Sequence, residues 1–223
     1  MRALVASGSG RYADPWHPFP KTSPLLAEIL RGSGFEVDVD DDVDASMGRL
    51  DGVDLLVVNA ADPWLESDER LARDSAAPQQ FAAALERGMG VLALHCALAS
   101  LRDYPDWAAA LGAMWVPGQS WHPPLATTRI TGATLPDGTA VADFDVDDER
   151  YLSLQRIGRS HVVANFDGSS GPEPAAWVRE YGNSRIAVDA LGHDERSYAS
   201  AGHRALVSEL AVWASRHQTM WDV

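Results

Sequence analysis

Short apolar runs recur through the first half of the chain, and each ends in a polar or glycine-rich stretch. Residues 3–6 run into Ser-Gly-Ser-Gly, which predicts a buried strand opening into a loop. Phe35-Glu36-Val37-Asp38-Val39 alternates like a half-buried strand, whereas Asp54 to Asn59 and Gly90 to Leu94 are apolar on both faces, as central parallel strands are. Helical spacing fills the intervals. Thr22 or Ser23 reads as a cap with Pro24 at the first helical position, followed by Leu25, Leu26, Ile29 and Leu30 and a stop at Gly32 to Gly34. Ser75 caps a second helix, with Pro78 in its first turn, that runs through Phe81, Leu85 and Glu86 to Gly88. The rhythm predicts an α/β fold, an open doubly wound and mostly parallel sheet with helices on both faces.

Beyond residue 100 the pattern loosens. It predicts a short helix over 108–111, strands over 126–130 and 161–166, a hairpin of 175–181 with 184–190 around Gly182-Asn183, and a final helix over 201–215. No internal repeat or linker interrupts the sequence, so residues 1–223 read as one domain. The acidic run Asp38 to Asp44 reads as a solvated strand end, since it lacks the glycine and distal glutamate of a calcium loop.

Charge narrows the set of partners. A formal net charge of -14, from 32 acidic and 18 basic residues, repels phosphate backbones and anionic lipid surfaces, which argues against nucleic acid and membrane partners. The apolar runs are far short of the roughly 20 residues that cross a bilayer, and the first of them is too short for a signal peptide. The single cysteine, Cys96, precludes an internal disulfide, and together these features predict a cytoplasmic protein. The sequence is compatible with a homo-oligomer.

In doubly wound sheets ligands bind at the carboxyl ends of the strands, so polar residues directly after apolar runs are the first candidates for chemistry. His95 follows Val91 to Leu94 and precedes the small residues Cys96 and Ala97, as at a strand-to-helix elbow. His193 follows the run Ile186 to Leu191, with Gly192 permitting a tight turn and Asp194 placed to orient the imidazole. Glu149 lies in the polar patch Asp147 to Tyr151. These three are the candidate catalytic residues, as general acids or bases. Competing structural readings exist: a ring bonded to a backbone carbonyl for His95, and surface pairing with Arg150 or Arg185 for Glu149. Trp16 and His17 in the first loop, with Trp121 and His122, are candidates for substrate binding through their flat aromatic faces, with loop packing as the competing reading. Converging histidines with Glu149 would suit Zn or Mn, but there is no local ligand pair such as His-x-x-x-His, so the metal is left open.

The segments also fit a family. Gly88-Met89-Gly90-Val91-Leu92-Ala93-Leu94-His95 resembles the ThuA-like motif of a glycine-rich turn leading into a strand that ends in His. Asp148-Glu149-Arg150-Tyr151 resembles the family's Asp-Glu-Leu-Tyr signature, and Trp177 to Arg185 followed by Gly192-His193-Asp194 resembles its Trp-x-x-x-Tyr-Gly-x-x-Arg and Gly-His-Asp segments. The order of these pieces is that of the family over nearly the whole chain. The resemblance implies a class I glutamine amidotransferase-like, flavodoxin-like three-layer fold, with His95 where the amidotransferases hold their cysteine. Imidazole cannot form their glutamyl thioester, and Cys96 stands one residue late. The resemblance further implies trehalose, disaccharide or 3-keto-sugar metabolism, through hydrolase- or isomerase-type proton transfer, with Asp194 and Tyr151 among the substrate-binding residues. A non-catalytic sugar-binding or accessory role on the same fold is the alternative. One departure stands out. Ile130 to Pro136 lacks the histidine that many relatives carry there, leaving His122-Pro123 as the nearby His-Pro pair.

Overall fold

Side chains that alternate between two apolar surroundings turn the parallel strands into a wall between two cores. The computed structural model describes residues 1–65, 70–72, 75–168 and 171–215. In chain order its strands are β1 (Arg2–Ser7), β2 (Glu36–Asp40), β3 (Leu55–Asn59), β4 (Gly90–Leu94), β5 (Ala113–Met114), β6 (Ala126–Gly132), β7 (Phe144–Asp148), β8 (Gln155–Arg156), β9 (His161–Gly168), β10 (Gly171–Tyr181) and β11 (Ser184–Asp189). The α-helices are α1 (Phe19–Gly32), α2 (Val43–Met47), α3 (Ala77–Glu86), α4 (Trp107–Leu111) and α5 (Ala201–Ser215).

Nine strands form one sheet in the order β2-β1-β3-β4-β11-β10-β9-β6-β7, and β5 pairs with β8 apart from it. The first five are parallel, and the remaining pairings are antiparallel. Four successive reversals from β11 to β7 mean that β7 points the same way as the parallel strands. Its carboxyl end therefore lies at the same edge as those of β1, β4 and β11, which brings Glu149 within reach of residues far from it in sequence.

Ala3, Val5, Leu55, Val57, Leu92 and Leu94 face one core with Leu26 and Leu30 of α1 and Leu206 and Leu210 of α5. Leu4, Ala6, Leu56, Val58, Val91 and Ala93 face the other with Met47 of α2, Phe81 of α3 and Trp107 of α4. Burying one large aliphatic side chain is worth about 1.5–3 kcal/mol, so register is strongly specified on both faces. No helix among the described residues is long and apolar enough to cross a membrane.

Three expectations need correction, the first being the cap of α3: its N-cap is Ala76, and Ser75, one residue earlier, accepts the Ala77 amide through its Oγ at 3.2 Å. Helix α1 starts at Phe19 with Pro20 in its first turn, ahead of the expected cap at Thr22 or Ser23, and Pro24 sits inside it. Thr22 and Ser23 are instead buried and accept hydrogen bonds from Asn59 Nδ2 at 2.9 and 3.0 Å, and Ser23 Oγ donates to Ser7 Oγ at 2.7 Å. The acidic run is also more than a solvated strand end. Asp42 caps α2 by accepting from the Ala45 amide at 2.9 Å. Asp44 accepts from Arg11 Nε at 2.9 Å, Tyr12 Oη at 2.8 Å and Tyr104 Oη at 2.9 Å. With the Arg11 to Asp103 pair at 2.6 Å, this cluster pins the start of the loop that carries Trp16 and His17.

Candidate functional site

Strand β4 ends at Leu94, and the backbone turns at once into a single 3-10 turn over His95–Leu98. His95 takes φ +44°, the left-handed conformation that side chains with a Cβ adopt at a cost of roughly 1–2 kcal/mol. This is the elbow expected from sequence, and His95 is 0 % exposed beneath it. Its Nδ1 donates to the Ala190 carbonyl at 2.9 Å, since a carbonyl can only accept. In the neutral ring the lone pair therefore sits on Nε2. Gly192 faces this elbow with φ +118°, and a Cβ there would stand 2.6 Å from Tyr198 Oη, so the turn accepts glycine alone.

His17 repeats the arrangement at the end of the first loop. Its Nδ1 bonds Asp14 Oδ2 at 2.6 Å, and the same carboxylate accepts the Trp16 and His17 amides at 2.9 and 2.8 Å. Asp14 thus fixes the ring so that Nε2 points inward. His193 stands 3.3 Å from Glu149 Oε2 through its Nδ1, while His95 Nε2 lies 3.7 Å from the same oxygen and His122 Nδ1 3.3 Å from Oε1. The rings of His17, His95 and His193 meet edge to face with centroids 4.8 to 5.5 Å apart. One ligand atom from each of His17, His95, Glu149 and His193 lies within 4.8 Å of all the others. His17 Nε2, His95 Nε2 and His193 Nδ1 are buried without a hydrogen-bond partner.

Asp148, which sequence singles out only as the first residue of the Asp-Glu-Leu-Tyr-like signature and not for any role at the site, holds this assembly together. It is almost wholly buried, and it accepts the amides of Glu149 at 2.8 Å, Gly192 at 2.7 Å and His193 at 3.2 Å. Ser197 Oγ also donates to it. Ser197 in turn contacts His203 Nδ1 at 2.8 Å, and His203 Nε2 meets Asp189 Oδ2 at 2.9 Å. All four groups of this chain are buried, so β7, β11 and α5 are locked together beneath the site.

His17, His122, His193 and Glu149 line a cleft of about 620 Å³ whose walls include Trp16, Trp115, Tyr151, Leu65 and Asp62, and His95 lies buried below them. Tyr151 stacks on His95 at 4.1 Å between centroids, and Trp115 packs on Tyr151 at 4.6 Å. Of the residues proposed from sequence, His193, Glu149, His17, Trp16, His122 and Tyr151 line this one cleft, while His95 is fully buried beneath it and reaches the group only through the cluster with His17, Glu149 and His193. Two others do not. Trp121 is half exposed, pairs its backbone with Leu152 and lies outside the lining, while Trp115 supplies the indole inside it. Asp194 is taken by Arg196, whose Nε lies 3.1 and 3.0 Å from its two carboxylate oxygens, so it does not orient His193. Glu149 pairs with neither Arg150 nor Arg185, and the Arg185 guanidinium instead covers Trp213. The backbone-carbonyl reading of His95 holds for Nδ1 and leaves Nε2 facing the cluster.

Charge is distributed unevenly among these groups. Burial pulls the His95 pKa down, but Glu149, Asp148 and the Ala190 carbonyl outweigh it and the net shift is upward. For His193 burial and the neighbouring His95 act together, and its pKa falls. Burial would raise Glu149, yet His95, His193 and His122 hold it below its ordinary value. Burial raises the Cys96 thiol well above its usual range, the opposite of what a nucleophilic thiolate needs.

A parallel core in the order β2-β1-β3-β4-β11, helices on both faces, and an elbow residue at the end of β4 define a class I glutamine amidotransferase-like, flavodoxin-like fold with imidazole at the elbow. Its particular family follows from comparison: residues 2–214 match the ThuA model, described as trehalose utilisation, and the chain belongs to that family. A ThuA-like protein of Parabacteroides merdae superposes with a TM-score of 0.74 at 18% identity, over 96% of this chain and 90% of that one. A second, from Bacteroides uniformis, gives 0.72 at 15% identity, over 96% and 91%. A protein of Salmonella typhimurium LT2 named as cytoplasmic gives 0.59 at 12% identity, over 97% and 100%. No curated protein matches the chain in sequence.

Proposed function

We propose that the cleft is the active site of a carbohydrate-metabolising enzyme that moves protons on a sugar or keto-sugar. The observation that carries this reading is one carboxylate, Glu149, facing the imidazoles of His95, His122 and His193 on the floor of an aromatic-walled cleft. A proton-transfer site needs groups able to give and take a proton within reach of one substrate atom, and positioned acid-base groups contribute about 10²–10⁴-fold to rate. Glu149, His95 and His193 fill that role, with His122 at the cleft mouth. Trp16 and Trp115 offer flat apolar surfaces to a sugar ring, and Glu149 offers acceptors to its hydroxyls. The family's description supports carbohydrate chemistry at the coarse level. A raised Cys96 thiol and a histidine at the elbow argue against glutamine amidotransfer. The single cysteine is in keeping with work in the cytoplasm.

The test is incubation of the purified protein with disaccharides and their 3-keto derivatives, with and without divalent metal, following products by mass spectrometry. Turnover that Glu149→Gln abolishes supports the reading. Trp115→Ala should raise KM about tenfold, on the scale of a lost stacking contact, whereas Trp121→Ala leaves it unchanged. Thermal stabilisation by sugar without product would instead establish the non-catalytic, sugar-binding alternative.

A further inference from the structure

We infer that His17, His95, His193 and Glu149 form a binding site for one divalent transition-metal ion of zinc's class. The inference deepens the preceding reading, because it concerns the same cleft floor, but metal binding is measured without any sugar.

Three separate observations converge on it. Each of the nitrogens His17 Nε2, His95 Nε2 and His193 Nδ1 is buried and lacks a hydrogen-bond partner, and a buried polar atom without a partner costs about 1–3 kcal/mol. Three such atoms aimed at one point are explained together if they share a ligand. Two of the rings are also locked from behind. The Asp14 carboxylate holds His17 Nδ1 and the Ala190 carbonyl holds His95 Nδ1, the backing that metal-bound histidines receive, which fixes the tautomer and turns the other lone pair inward. Finally, the four donor atoms lie within 4.8 Å of one another. Ligand atoms each roughly 2 Å from a common ion stand about 3–4 Å apart, so small side-chain adjustments complete a coordination sphere.

Donor chemistry selects the ion. Three imidazole nitrogens with one carboxylate suit Zn²⁺ and its transition-metal neighbours, while Mg²⁺ and Ca²⁺ call for oxygen-rich sites. His122 stays outside the set, with its Nδ1 against the Pro123 carbonyl at 3.1 Å and Glu149 Oε1 at 3.3 Å. Its imidazole and the second Glu149 oxygen remain available to a substrate in the cleft. An ion here would polarise a sugar carbonyl or hydroxyl; His95 and His193 would then act as ligands, and the proton transfer of the preceding reading would fall to His122 and the free Glu149 oxygen.

The measurement uses full-length protein with any histidine tag removed, stripped by chelator and then titrated with Zn²⁺ or Co²⁺ alone. The expected result is one ion per chain by elemental analysis, visible cobalt absorption, and an increase in melting temperature on loading. His17→Ala and Glu149→Gln, which alter half-buried groups, should each weaken binding at least about tenfold, and Asp14→Asn by about 10- to 100-fold; His122→Ala should bind like the parent. Circular dichroism reports whether each variant is folded. Absence of stoichiometric Zn²⁺ and Co²⁺ binding by folded parent protein overturns the proposal, as does unchanged affinity in both folded His17→Ala and Glu149→Gln. Turnover by metal-free protein would leave the proton-transfer reading standing without the ion, and an ion bound without turnover on any sugar would do the reverse.

Discussion

His95 joins two demands at one position: a left-handed backbone at the elbow and an imidazole whose Nε2 faces the cleft floor. Substitution can separate them. Asparagine tolerates the left-handed region better than most residues, so His95→Asn should fold with a modest loss of stability while turnover falls about 10²–10⁴-fold. Kinetics beside a denaturant melt check this, and full activity in a folded His95→Asn would remove the residue from the chemistry. Gly192 makes the opposite case, since nothing about it is chemical. Its φ of +118° and the 2.6 Å approach of a Cβ to Tyr198 Oη put strain into Gly192→Ala, with an expected loss of about 1–3 kcal/mol in urea unfolding. Both histidine-bearing turns were legible in sequence because a polar residue directly follows a doubly apolar run. Asp14, Asp148 and Trp115 were not. Their roles arise from what lies across the sheet edge from them, and no local spacing encodes that.

Among the elements, β7 departs furthest from its sequence signal. Phe144 and Val146 alternate inward with Asp145 and Asp147 outward, but the third inward position is Asp148, a carboxylate where the pattern asks for an apolar residue. That carboxylate is buried because amides of the β7 and β11 ends donate to it, which only the assembled sheet reveals. The same network makes stability depend on pH through His203. Its ring faces Asp189 from β11, Ser197 and Tyr198 from the preceding turn, and Phe144 from β7, with the Asp148 charge nearby. Burial alone would lower its pKa, but Asp189 outweighs burial and the net shift is upward. A folded pKa above the unfolded one of about 6.5 means that the stabilisation is complete below that pH and fades as pH rises through the folded value. Replacing His203 by Gln should therefore flatten the decline in stability as pH rises above about 6.5. An unchanged pH profile of the melting temperature would show that the pair does not titrate in this range.

Across the whole molecule, the parallel half followed from periodicity because strands buried on both faces leave an unbroken apolar signature, and β1, β3 and β4 carry it. The antiparallel extension was read only in part: β6, β9 and the β10–β11 hairpin were, but β7, whose two apolar residues are set among aspartates, and the two-residue β5 and β8 were not, and the order of all of them comes from partners distant in sequence. The net charge of -14 is likewise a property of the whole, and it predicts no retention on heparin or duplex DNA columns even at low salt. Retention there would point to a local basic surface that the total conceals. The direction of β7 has one more consequence. Because the groups at the sheet edge come from positions 17, 95, 149 and 193, a ribosome must deliver nearly the entire polypeptide before they can meet. A chain interrupted just after His95 holds two of the four donors and lacks both Glu149 and His193, so the appearance of the cobalt spectrum during refolding would time the docking of the last strands.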